Sequence, residues 1–509
     1  MSTSSPSSRF SRQPLDKAAL RMIAIISGII VVMLLLGSQT LLQVRSFSWQ
    51  DKAVSSEDIA FLITFTRPVE TESVEQNLRI EPDLDGKFSW AGRKMAYTLA
   101  VPAAYGEDYQ VSLAGVEPLN GNVDFEPFET TFQTRDRAFA YIGAEGEERG
   151  RIVLFNLTEQ KKTLLTPENQ EVMDFEVYPE RDRILYSAVP TDGQSDNVLA
   201  AAQLYTITTG IETTAEDYPA WQFWRSATTT AAGEIETLLT SESYQNLKFD
   251  LSPNGEVIVV QRVNKENPAD FGPWVLMNEE APRKLETEPG GDFTIAPDSA
   301  SLLLQQGQGT AIIELAQDPD SEESDELLDF LADYGLTLDI ASDGSAAALV
   351  NFNQDNPEER FTQSLFWVSN RGEEKQLLQT EGSILSAQFG DRNETLYCLI
   401  NRPVESEEDY AVVPYLTAVN VETGEAQKLI EMPPQADITV ALAPDGLAIL
   451  FDEALSVDSD AISSGYAGPT HRLWLLPLYS SEEARAQGEP SALPATELEI
   501  AGRNPVWMP

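Results

Sequence analysis

A repeated pair of strands dominates this chain from Phe139 onward and limits the folds open to it. In each copy a strand ends in a turn built from Pro, Asp, Asn or Gly, and a second, apolar strand follows at once. The copies are Asp174–Pro179 before Ile184–Tyr186, Phe249–Gly255 before Val257–Val260, Phe293–Asp298 before Leu302–Leu304, Leu338–Gly344 before Ala348–Val350, Gln388–Asp391 before Leu396–Cys398, and Val440–Gly446 before Ala448–Leu450. In the middle of the series they recur about every 45 residues, the length of one four-stranded propeller blade. A single unit cannot bury its apolar faces alone, so such units must stack. Third strands such as Leu365–Val368 and Leu473–Leu476, and fourth strands such as Lys375–Leu378 and Gln427–Ile430, complete the pattern. Trp274, Trp367 and Trp474 recur on third strands, which predicts that they pack between neighbouring blades.

The ends of the series predict its closure. Phe139–Ile142, Arg151–Leu157 and Lys161–Leu165 read as second, third and fourth strands without a first. Arg503–Pro509 reads as a first strand with nothing after it. A C-terminal strand that completes the N-terminal blade would remove the exposed sheet edges. Six full copies and this composite give seven blades. Ser252-Pro253-Asn254-Gly255 and Ala443-Pro444-Asp445-Gly446 stand where TolB-like blades carry their turn signature. Residues 136–509 thus resemble the TolB-like and WD-repeat propellers. Two segments fit the repeat poorly, an aromatic one at Tyr205–Ala232 and an acidic, Gly/Ser-rich one at Asp452–Thr470.

Residues 46–135 show short alternating runs between turn residues. Ile59, Phe61, Ile63 and Phe65 alternate with Ala60, Leu62 and Thr64, as a half-buried strand requires. Asp85-Gly86 signals a turn. Tyr109, Val111, Leu113 and Phe128, Thr130, Phe132 continue the alternation, and about seven such strands predict an immunoglobulin-like sandwich. Phe65-Thr66-Arg67-Pro68-Val69, Leu78-Arg79-Ile80-Glu81-Pro82, Phe88-Ser89-Trp90, Tyr105–Val111 and Phe128–Phe132 resemble the bacterial SbsA-type Ig-like domain. The resemblance implies a spacer or adhesion module without catalytic residues. With what precedes it, the layout resembles cyanobacterial membrane-anchored envelope proteins.

Met22–Val44 holds 23 residues without a charge. As a helix it would reach roughly 35 Å, enough to span a bilayer. Arg9, Arg12, Lys17 and Arg21 precede it with Asp16 as the only acid. The positive-inside rule then keeps residues 1–21, a Ser-rich disordered tail, in the cytoplasm. The C-terminal domains would face the periplasm or exterior from a single pass through the inner (plasma) membrane. No A-x-A cleavage site follows, so an uncleaved anchor is expected.

Beyond residue 45 the chain carries 81 acids against 29 bases. Such a surface repels nucleic acid and anionic headgroups. The single Cys398 sits in an apolar run and reads as a core residue; no intramolecular disulfide is possible. One Cys and the one His, His471, exclude a Cys/His zinc site. Phosphate-loop, dinucleotide and nucleophile-elbow motifs are missing. The acidic run Asp318–Glu323 lacks the spacing of a calcium loop. No cofactor is therefore expected, and no enzyme, although paired carboxylates on a propeller leave a glycoside hydrolase as one alternative. The expected function is an interaction scaffold, with the propeller as a protein-binding platform on an Ig-like stalk. Another alternative is binding of envelope polysaccharide or a small ligand. Trp221, Phe223, Trp224 and Arg225 are the candidate contact residues for a ligand or partner.

Overall fold

Side-chain alternation sets the strands upstream of residue 135. A computed structural model describes residues 22–28, 41–50, 52–120, 123–191, 199–213, 230–277, 281–307, 309–315, 327–331, 334–354, 356–405, 410–435, 437–455 and 470–509. One sheet runs in the order β1 (Val44–Phe47), β3 (Ala60–Phe65), β6 (Lys94–Leu99), β5 (Gly86–Ala91). The other runs β2 (Ala53–Val54), β8 (Phe128–Thr134), β7 (Asp108–Leu113), β4 (Leu78–Glu81). A short helix, α1 (Thr71–Asn77), precedes β4. Phe61, Ile63 and Phe65 are fully buried. The two sheets meet through aromatic rings: Phe132 of β8 lies 6.3 Å from Phe47 and 4.9 Å from Trp49, with Tyr109 stacked on it at 5.0 Å. Ile59, expected on the same face, is exposed instead. The turn closed by the Ser55 N–H donating to Asp58 Oδ2 at 2.9 Å ends one residue before it, and pairing begins only at Ala60.

The apolar run before the sandwich does not end where the sequence suggested. Residues 22–28 are helical. Leu42, however, is fully buried and bridges Phe125, and Val44 already pairs with Phe65. Leu42 and Val44 therefore belong to the sandwich, because a buried apolar side chain and a strand partner outweigh continuation of a helix. Residues 1–21 and 29–40 lie outside the described residues. Among the described residues no helix is long and apolar enough to cross a membrane.

The described chain divides into two compact units. One takes in residues up to 51, 60–98 and 109–132. The other takes in 52–59, 99–108 and 133–509.

In the larger unit each repeat forms an antiparallel sheet of four sequential strands, as in a propeller. The sheets are β12–β15, beginning with β12 (Gln170–Val177), β16–β19 from β16 (Tyr244–Leu251), β20–β23 from β20 (Phe293–Ile295), β24–β27 from β24 (Leu336–Ile340), and β28–β31 from β28 (Ser383–Phe389). Each inner strand keeps one edge without a strand partner. The remaining strands form one seven-stranded sheet in the order β11, β10, β9, β35, β34, β33, β32. Here β9 is Ala138–Gly143, β10 Ile152–Asn156, β11 Lys161–Leu164, β32 Val440–Leu442, β33 Ala448–Leu455, β34 Thr470–Pro477 and β35 Thr496–Trp507. The expected pairing of the C-terminal strand is present: Val506 pairs with Ala140 and Trp507 with Phe139. β35 is longer than Arg503–Pro509, because its first half pairs with β34 through Trp474–Glu497 and Leu475–Thr496. One strand thus serves as the last member of one four-stranded set and the inner member of the next.

The recurrent tryptophans differ in role. Trp474 stacks on Phe451 at 6.3 Å and packs on a core cluster shared by β29–β31 and β33–β34. Trp367 packs likewise between neighbouring sheets. Trp274 instead lies under the guanidinium of Arg262, 5.0 Å away, and edge-on to Tyr244. All three are half-buried. The segment Asp452–Thr470 was expected as a loop throughout, but β33 runs to Leu455 and β34 starts at Thr470.

Candidate binding surface

The inner strands are the first elements of each sheet, so each presents unpaired backbone groups along its open edge. A polar side chain at one fixed place in the repeat answers them. Counting three residues back from the turn position held by Pro179, Pro253, Ser342 and Asp391 gives Glu176, Asp250, Asp339 and Gln388. Each accepts the main-chain N–H of the next inner strand. Leu251 N–H donates to Glu176 Oε2 at 2.8 Å, Ile295 N–H to Asp250 Oδ2 at 2.5 Å, Phe389 N–H to Asp339 Oδ2 at 2.7 Å, and Leu442 N–H to Gln388 Oε1 at 2.8 Å. Gln388 also donates to Val440 O at 3.1 Å.

Other contacts continue this belt. Trp507 Nε1–H donates to Ala441 O at 3.0 Å, and Asn504 Nδ2–H to Asp174 Oδ1 at 3.1 Å. Asn504 takes a left-handed backbone, φ 52°, which asparagine tolerates, and its N–H donates to Asp452 Oδ2 at 3.0 Å. Lys248 forms an ion pair with Asp292. At the equivalent place in β20 stands Thr294, and among the described residues no side chain of β20 reaches the main chain of β24.

Protein packed around these acids raises their affinity for protons. Desolvation lifts Asp250 and Asp339 each to about 6 and holds Glu176 well above the carboxylate range, with the Asp250 charge adding to it. Asp174 and Asp452 are raised by the same cause. Asp174 is nevertheless an exposed residue.

A second concave feature, about 500 Å³, opens where β35 passes from one set of strands to the other. Glu145, Glu147, Glu148, Lys162, Arg472 and Glu499 are its charged lining. Lys162 Nζ lies 3.0 Å from Glu148 Oε1, and Tyr141 donates to Glu148 Oε2 at 2.8 Å.

The sequence-predicted contact residues Trp221, Phe223, Trp224 and Arg225 lie outside the described residues, as does Asp318–Glu323. Cys398 is fully buried in a core cluster, and burial pushes its thiol up, away from the reactive thiolate. His471 Nδ1 is 3.7 Å from Asp452 Oδ2, whose oxygens already accept Thr439 and Asn504 N–H groups. Among the described residues no group of three or more His, Cys, Asp or Glu side chains is arranged to hold a metal. The belt escaped sequence reading, although its signal was present. Five of the six copies carry a polar residue at that constant distance from the turn, Glu176, Asp250, Thr294, Asp339 and Gln388, and the sixth carries Ala441.

No family model and no curated protein matches the chain. Solved structures similar to it include TolB-like β-propeller proteins. TolB from Acinetobacter baumannii is 10% identical, with a TM-score of 0.38 over 85% of this chain and 83% of that one. An oligogalacturonate lyase from Vibrio parahaemolyticus is 11% identical, TM-score 0.39, over 59% and 79%. Prolyl oligopeptidase B from Galerina marginata is 8% identical, TM-score 0.41, over 82% and 51%. The activities in these names belong to those proteins.

Proposed function

We propose that this chain is a membrane-anchored, extracytoplasmic interaction scaffold. In this reading the larger unit is a closed seven-bladed propeller that binds a protein partner, and the sandwich is an SbsA-type Ig-like stalk. The observation that carries it is the belt. Glu176, Asp250, Asp339 and Gln388 bond the next strand's main chain, so the acids that a propeller could turn to hydrolysis are engaged in rigidity. A stiff platform with a strongly negative surface suits recognition of another protein rather than bond cleavage. The uncharged run from Met22 and the basic residues before it support the anchor and its orientation.

Two fusions test this reading. An export-dependent reporter placed after Pro509 should be active, and a reporter confined to the cytoplasm should be silent there. The reverse result overturns the topology. The cleft beside Arg472 and Lys162 supports a second reading, binding of a small polar ligand such as an envelope saccharide. Calorimetry with oligosaccharides, comparing the native chain with Arg472→Ala, separates the two. Heat that depends on Arg472 favours the saccharide.

A further inference from the structure

The belt leaves one side of its strands uncovered, and what stands there repeats. In β12, β16 and β28 the pairing slips between Val172 and Asp174, between Asn246 and Lys248, and between Ile384 and Ser386; β24 slips too, between Thr337 and Asp339, but there Leu338 packs on the core. A bulge turns two consecutive side chains to the same side of a strand. Burial follows this rule. Met173 and Asp174 are accessible between buried Val172 and Phe175, and Leu247 and Lys248 between buried Asn246 and Phe249. Leu385 and Ser386 lie likewise between buried Ile384 and Ala387. Three sheets therefore each present a long apolar side chain beside a polar one. Leu247 is 51% exposed and Leu385 39%.

The charge on this side is unbalanced. Asp174, Glu176, Asp250 and Asp292 stand on β12, on β16 and just before β20, with Lys248 and Arg503 as the cations acting on them.

Building on the platform reading, we propose that the uncovered side of the belt docks an extended protein segment in which arginine or lysine alternates with leucine-like side chains. The leucines would meet Met173, Leu247 and Leu385, and the cations would meet the exposed carboxylates of Asp174 and Asp292. Burial disfavours Asp174 in its charged form, and a guanidinium beside it offsets that penalty. Other occupants fit less well. A second copy carries the same net charge of −48 and is repelled. A polysaccharide calls for stacking aromatics, and the three bulges carry none.

The test uses the full chain and a fluorescein-labelled eleven-residue peptide of alternating arginine and leucine, followed by anisotropy in physiological salt. The Leu247→Ser/Leu385→Ser variant keeps the charge and changes only exposed side chains. It should bind at least tenfold more weakly. Leu62→Ser/Leu119→Ser, which alters leucines of similar exposure elsewhere, should bind as the native chain does. Equal binding by all three proteins would reveal diffuse charge attraction and overturn the proposal. So would equal binding of a peptide with glutamate in place of arginine.

A photo-crosslinking residue placed in cells at Leu247 or at Phe361, which is 78% exposed on another loop, separates this inference from the platform reading. An adduct at Leu247 whose crosslinked segment alternates arginine or lysine with leucine-like residues supports the docking side, and an adduct to any other kind of segment overturns it. Adducts at Phe361 alone overturn the docking side and keep the platform. Adducts at neither position overturn both.

Discussion

Replacing Asp339 by asparagine isolates one stitch of the belt, and its effect on stability should change with pH. Asp339 Oδ2 accepts the Phe389 N–H at 2.7 Å and Oδ1 the Ile340 N–H at 2.9 Å. Burial raises its pKa from 3.8 to about 6 in the folded chain. Between these values the folded chain holds a proton that the unfolded chain has released. Unfolding stability therefore falls by about 1.4 kcal/mol for each pH unit across that window. The stabilisation is complete below about pH 4 and lost as pH rises through about 6, a total of about 3 kcal/mol, to order of magnitude. Asparagine is neutral throughout. Its carbonyl can accept from Phe389, but its amide cannot accept from Ile340, which costs about 1 kcal/mol at every pH. Asp339→Asn should thus be slightly less stable than the native chain at pH 4 and more stable at pH 8. Urea midpoints at both pH values, read from tryptophan fluorescence with slopes compared, measure this. The same difference between variant and native chain at both pH values would refute the reasoning.

Trp507→Ala should destabilise the larger unit by about 3–5 kcal/mol, because it removes a buried ring in edge contact with Phe139 and a hydrogen bond to Ala441. Urea unfolding followed with limited proteolysis would check that the sandwich survives. Trp474→Ala should cost less, about 1–3 kcal/mol, since its ring is only half-buried, and urea midpoints rank the two variants. Asp445→Ala should cost about 3–5 kcal/mol in the same assay. Its carboxylate is buried, lies 2.8 Å from Arg137 Nη2 and accepts the Tyr105 N–H at 3.0 Å. A loss under about 0.5 kcal/mol would mean these groups find water instead.

Strand positions were legible because burial on alternate faces leaves a period of two in the sequence, and the constant turn after each inner strand fixed the repeat. Closure was legible from the mismatch between an incomplete first unit and the unmatched Arg503–Pro509. The double use of β35 was not. Thr496–Ala501 is polar and alternates weakly, since one of its faces is solvated, and Glu499 with φ 54° interrupts the register. The end of the apolar run was misread for a related reason. Leu42 and Val44 are as apolar as a membrane helix, and only their partners Phe125 and Phe65, far along the chain, place them in a sheet. The belt went unseen because a polar side chain in a strand resembles a solvated one until its acceptor role toward the next strand is known.

Thr294 marks a weak seam between two sheets of the larger unit, away from the pairing of β35 with β9. Where first and last strands meet, continuous β35 must tear before the sheets can part. Between β20 and β24 the short threonine hydroxyl replaces a carboxylate or amide that elsewhere clasps the next strand. Transient opening should start there, so the amide hydrogen of Ile340, held by its own neighbour Asp339 rather than by the preceding sheet, should exchange with solvent before that of Ile295, which Asp250 of the preceding sheet holds. Strain imposed on the larger unit would then be relieved at the Thr294 seam, leaving the shared strand intact.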